Sequence, residues 1–126
     1  MIEFLQIFRY HKNMGKYKNT IQKGSVRYIV FEEDRVWYAA GLEFNVVESG
    51  STPQEAILLL LDALTGYVAS AKKIKARPTI LNQKSDPEYE EMWKNREDAR
   101  ITNAKKIYSS GEWNIRGAMN SRFVPA

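Results

Sequence analysis

The chain contains no cysteine and a single histidine, His11. Without thiols there is no disulfide framework, no thiolate metal site and no sulfur nucleophile. The one imidazole lies in a basic stretch, away from any run of carboxylates. A histidine-rich metal site is therefore excluded, and a Ser–His catalytic pair is hard to assemble. No run approaches the ~18 apolar residues of a membrane span. Residues 1–8 are apolar but short, are interrupted by Glu3, and lack the basic start and small-residue cleavage site of a signal peptide. Phosphate loops, the G-x-G-x-x-G spacing and zinc-ligand spacings are missing too, as are internal repeats. These absences lead to the expectation of a non-enzymatic cytoplasmic protein that uses no cofactor and no metal and meets no membrane.

What the chain does have is segregated charge. The formal net charge of +4 over 126 residues combines unlike parts. Residues 1–24 carry five basic and one acidic side chain, residues 25–71 two basic and seven acidic, and residues 72–126 twelve basic and seven acidic. An acidic middle is thus flanked by basic ends. Basic flanks are either solvated extensions or contacts for phosphate, and an acidic middle suits a basic partner.

The firmest local signal is Thr52-Pro53-Gln54-Glu55. It has the T-x-x-E spacing of a capping box, in which the Thr52 hydroxyl accepts from the Glu55 amide and the Glu55 carboxylate reaches back to the Thr52 amide. Pro53 at the first helical position loses nothing by lacking an N–H. The spacing predicts a helix from Pro53 to about Lys75, with a core stripe of Ala56, Leu60, Ala63, Leu64, Tyr67, Ala71 and Ile74. Ile57, Leu61 and Val68 widen that stripe, and Leu58 interrupts the outer side. A helix this apolar calls for a second cover, either the C-terminal segment or another subunit, so a homodimer is expected. Upstream, residues 25–31 are β-branched and aromatic and predict a first strand. Glu33-Asp34 is expected to turn the chain into a second strand over residues 35–44, with Val36, Tyr38, Ala40 and Leu42 on one face. Residues 45–48 follow as a short third strand, completing an antiparallel meander. Downstream, Pro78 ends the helix, and residues 78–82 suggest a short strand. Asp86-Pro87-Glu88 opens a second helix by cap, proline and first-turn acids, expected to run to about Tyr108 and to stop at Ser109-Ser110-Gly111. The rest is expected to be a tail anchored by Trp113 and Phe123.

The resulting fold class is α+β: a three-stranded meander packed on a long helix, plus a C-terminal helix. The organisation reads as a basic N-terminal arm over 1–24, a β-β-β-α domain over 25–82, and a helix and tail over 83–126. Glu32, Glu33 and Asp34 are adjacent carboxylates at the hairpin tip. A nuclease would need acids converging on a shared cation from different elements, and residues 26–31 contain no acid. On the second helix, a step of ~100° per residue gathers Tyr89, Met92, Trp93, Arg96, Arg100, Ala104 and Ile107 into one sector. The arginine stems either pack on the core with their heads in water or belong to a nucleic-acid or partner surface.

The order of three strands and a helix, joined by Gly50-Ser51-Thr52-Pro53-Gln54-Glu55-Ala56, resembles the HicB-like antitoxin family over residues 25–75. The matching segments are Tyr28-Ile29-Val30-Phe31-Glu32-Glu33-Asp34, then Trp37-Tyr38-Ala39-Ala40, then residues 42–47, then the leucine-rich helix from Ala56. The resemblance implies a partial RNase H-like fold without catalytic acids, in a protein that binds and silences a small basic RNA-cleaving toxin. The side chains expected to meet that partner are Trp37, Glu43 and Glu48. The alternative expectation is a small nucleic-acid-binding module using its basic flanks, with Arg96, Arg100 and Lys105 as the contacts.

Overall fold

The structure is a computed structural model and describes residues 17–97 and 106–116. Four strands form one antiparallel sheet: β1 (Ser25–Glu33), β2 (Val36–Gly41), β3 (Val46–Gly50) and β4 (Ile107–Asn114), in the order β3-β2-β1-β4. Helix α1 (Pro53–Lys73) and helix α2 (Pro87–Asn95) complete the α+β fold. Side chains alternate across β1, so Val26 and Val30 join α1 in one core while Ile29 and Phe31 join α2 in another. The sheet is therefore the middle layer, with one helix on each face.

The meander and α1 stand where the sequence places them, with local differences. The β1–β2 turn is Asp34-Arg35 rather than Glu33-Asp34, because Glu33 still pairs with Val36. Both turn residues have positive φ, 53° and 66°, as a two-residue loop between right-twisted strands requires. β2 ends at Gly41 because residues 42–45 form a turn. Gly41 faces α1 closely: a Cβ there would lie 2.9 Å from Leu64. The cap of α1 is partly as expected. The Thr52 hydroxyl accepts from the Glu55 amide at 3.1 Å, but the Glu55 carboxylate takes the Ser51 amide at 3.2 Å instead of that of Thr52.

The C-terminal end of α1 is a Schellman closure. The Ala76 amide donates to Ala71 O at 2.9 Å and the Lys75 amide to Lys72 O at 3.2 Å. This puts Lys75 at φ 52°, where glycine is the usual occupant. A side chain in this left-handed region costs on the order of 1 kcal/mol.

Three expectations are corrected. Residues 78–82 are not a strand: Pro78–Leu81 is a 3₁₀ turn. α2 stops at Asn95, with Arg96 as its C-cap, instead of running to Tyr108. Tyr108 and residues 112–114, the start of the expected tail, belong to β4, which adds a fourth strand beside β1. Ser109-Ser110-Gly111 does not break structure. These small residues oppose Val30, Ile29 and Tyr28, and a Cβ on Gly111 would sit 2.8 Å from the Tyr28 hydroxyl. The register shifts between Val30 and Phe31, leaving Tyr108 as the extra residue of a bulge.

Residues 17–24 are tied down. Asn19 is fully buried. Its amide donates to Asn82 Oδ1 at 2.9 Å and its carboxamide to Leu81 O at 2.9 Å, while its Oδ1 accepts from the Ser25 amide at 2.8 Å. Asn82 Nδ2 returns a bond to Asn19 O at 2.8 Å. His11 and Phe123 lie outside the described residues.

Candidate interaction surfaces

The densest polar constellation lies between the sheet and α2. Arg27, on the α2 side of β1, donates from Nε to Glu43 Oε2 at 2.6 Å and through both terminal nitrogens to Glu90, at 3.0 and 2.5 Å. Glu43 Oε1 accepts from the Arg27 amide at 2.7 Å, and Ser85 Oγ donates to Glu90 at 2.6 Å. Trp93 stands beside this group. Arg27 lies 5.6 Å from the centre of its ring, and Arg96 lies 3.8 Å from it. The hydrogen bonds to Glu90 raise the Arg27 guanidinium above its ordinary value; partial burial pulls the other way, and the bond to Glu43 adds to the rise. The same bonds from Arg27, then that from Ser85, hold Glu90 below the usual carboxylate range. These bonds pin α2 onto the sheet. An open depression beside it, lined by Glu90, Glu91, Trp93, Lys94 and Asn95, draws all its residues from one helix. Among the described residues no three His, Asp or Glu side chains converge as a metal site.

The structure separates the three side chains expected to meet a protein partner. Glu43 is 9% exposed, and its carboxylate is spent on Arg27. Trp37 and Glu48 both lie on the α1 side of the sheet, paired with Gly50 and Ala39. Trp37 packs edge-on against Tyr108, with ring centres 5.4 Å apart, and Gln54 donates to the Tyr108 hydroxyl at 3.2 Å. Tyr108 is 51% exposed. This half-exposed aromatic shelf sits at the end of the sheet that carries the Glu32-Glu33-Asp34 tip and the first turn of α1 with Glu55, all exposed. The sequence does not single out Tyr108, because its spacing sets it at the end of a helix, whereas the structure puts it in a bulge.

Arg96 does not reach outward as a free contact. Its Nη1 donates to Trp93 O at 2.6 Å, and its guanidinium covers the Trp93 ring. Tyr89, Met92 and Trp93 join the core against Ile29 and Phe31, so that stripe packs inward. Arg100 and Lys105 lie outside the described residues.

The opposite end of the sheet is basic. Lys72 and Lys73 close α1, Lys75 and Arg77 follow, and Lys23 and Arg116 arrive from other segments, all exposed. The Asn19–Asn82 clip and the Ile115 amide bond to Gly24 O at 3.0 Å hold these segments together. Lys18 is paired with Glu112 at 3.6 Å on this end.

A third surface is the outer side of α1. Leu58 is 67% and Leu59 42% exposed, and Gly66 has open space where a Cβ would be. α2 does not cover it, since α2 packs on the other face of the sheet. No helix of the described residues is long and apolar enough to cross a membrane. Comparison of the chain with protein-family models, curated proteins and solved structures finds no match in any of the three.

Proposed function

We propose that this chain is a non-enzymatic binding protein whose acidic end docks a small basic protein, in the manner of a HicB-like antitoxin holding its RNA-cleaving toxin or of a solitary homologue with another basic partner. The observation that carries this reading is the aromatic shelf of Trp37 and Tyr108 beside the exposed carboxylates of Glu32, Glu33, Asp34 and Glu55. Half-exposed aromatics supply contact area at interfaces, and a patch whose carboxylates outnumber its exposed cations, Arg35 and Lys106, steers and selects a basic partner. The saturated state of Glu43 and Glu90 supports a role without catalysis. We further propose that two copies pair through the outer face of α1, around Leu58, Gly66 and Ala69, which presents few charges. A cytoplasmic location goes with this reading.

The test is calorimetric titration of the purified chain with the basic protein that it captures from its native host, alongside an assay of that protein's RNA cleavage. Tight binding with suppressed cleavage is expected. Reversing the acidic end with Glu32→Lys and Glu55→Lys should weaken binding at least tenfold while the circular dichroism spectrum stays unchanged. Full binding by the reversed variant would refute the acidic end as the docking surface. Light scattering should give about twice 14.6 kDa for the free chain, and Leu58→Glu should return it to a monomer.

A further inference from the structure

We propose that the basic end of the sheet is a second binding surface, which takes the phosphodiester backbone of a nucleic-acid duplex. This inference is independent of any partner at the acidic end. Three observations carry it. The first is composition. Lys23, Lys72, Lys73, Lys75, Arg77 and Arg116 are all exposed there. Of the carboxylates at this end, Glu112 lies near Lys18, Glu43 is bonded to Arg27, and Asp86 accepts from the Glu88 amide as the cap of α2.

The second is construction. Lys72 and Lys73 have an ordinary reason to be where they are, since cations suit the negative end of a helix dipole. That reason does not extend to Lys23 or Arg116. These come from the N-terminal strap and the end of β4, and the Asn19–Asn82 clip and the Ile115–Gly24 bond fasten them beside the helix end. A rigid array of cations from separate segments is what spaced phosphates require, because each neutralised phosphate releases condensed counterions.

The third is Lys75. It occupies the left-handed position of the Schellman closure at φ 52°, where glycine would be easier for the backbone. A cation here suits the negative end of the helix dipole, as Lys72 and Lys73 do, but this one is kept at the expense of the backbone, and strain of this kind collects at functional sites. Exposed Ile74 and Ile80 lie close by. Two separate isoleucines do not make the broad apolar face of a membrane-surface helix. Tyr67 is not offered for stacking on a base: it is stacked on Phe44 at 4.4 Å and bonded to Ile80 O. Contact with backbone phosphates, without readout of bases, is the mode that fits.

The experiment is fluorescence anisotropy of the full chain with a mixed-sequence 20-base-pair duplex, as DNA and as RNA, over a salt series. If about four phosphates are neutralised, the slope of log K against log salt is about −3.6 for DNA, and affinity falls roughly 150-fold between 50 and 200 mM salt. The decisive variant is Lys75→Gly. It should unfold at a higher temperature than the parent chain yet bind several-fold more weakly, with the slope reduced by about 1. Lys75→Arg should retain the binding. The triple variant Lys72→Glu, Lys75→Glu, Arg77→Glu should lose at least tenfold in affinity with its circular dichroism spectrum preserved. Equal binding by the triple variant and the parent chain would overturn the proposal, because cations elsewhere would then carry the contact. Absence of saturable binding at 50 mM salt, or tighter binding to phosphatidylserine vesicles than to either duplex, would overturn it too.

Discussion

Against one face of the sheet, the 21-residue α1 buries Ala56, Leu60, Leu64, Val68 and Ala71 with no ion among them. Against the other, the nine-residue α2 buries Met92 and is held by an arginine shared between two glutamates. The first contact is long, apolar and indifferent to pH. The second is short, and a helix of its length is marginal alone, so it relies on directional bonds for its position. The difference shows how one sheet can carry a permanent partner and a conditional one. Hydrophobic area holds α1, and geometry and charge hold α2.

The largest effect should come from the apolar face. Leu60→Ala leaves a cavity between α1 and the sheet and should cost about 4 kcal/mol, read as a lower urea midpoint at unchanged slope. Arg27→Met should cost about 3 kcal/mol, chiefly by stranding the inward-facing Glu43 carboxylate. Replacing Arg27 and Glu43 together by apolar residues should recover much of that loss. Hydrogen exchange separates the two faces: Arg27→Met should deprotect α2 more than α1. If it accelerates exchange equally in both helices, the contrast between the faces fails. The smallest effect is that of pH. Bonding holds Glu90 below its ordinary 4.5 in the folded state. Its contribution is therefore complete above that value and is lost as pH falls through the lower, folded-state value. Glu90→Gln should flatten the acid limb of the stability profile by lowering neutral stability toward the acid value, a small loss because 43% of this side chain remains exposed.

The parts of the fold that were legible in the sequence are those written in local chemistry. The T-x-x-E cap, the alternation of β1 and the 3.6-residue stripe of α1 each state their structure within a few residues. β4 was hidden because its small residues resemble a helix stop. Their true reason is the bulk of Tyr28, Ile29 and Val30 across the ladder, 79 to 83 residues away. α2 was extended too far because Ile107 continues its apolar stripe, and Ile107 does pack on the same core, but from a strand. Glu43 turns inward against expectation because nothing near it in sequence announces Arg27 as its partner. The Arg27–Glu90 contact spans a separation of 63 residues, which no periodicity can reveal.

The placement of β4 has a consequence for how the chain is made. β1 leaves the ribosome early, yet the strand that covers its second edge, Ile107–Asn114, follows only after the other two strands and both helices. At about 5–20 residues per second, that edge waits roughly 4–15 s. During this interval a β-branched, aromatic strand offers unpaired amides and carbonyls to any extended segment nearby. Nascent chains halted before residue 107 should therefore be the species that chaperones hold and that aggregates recruit.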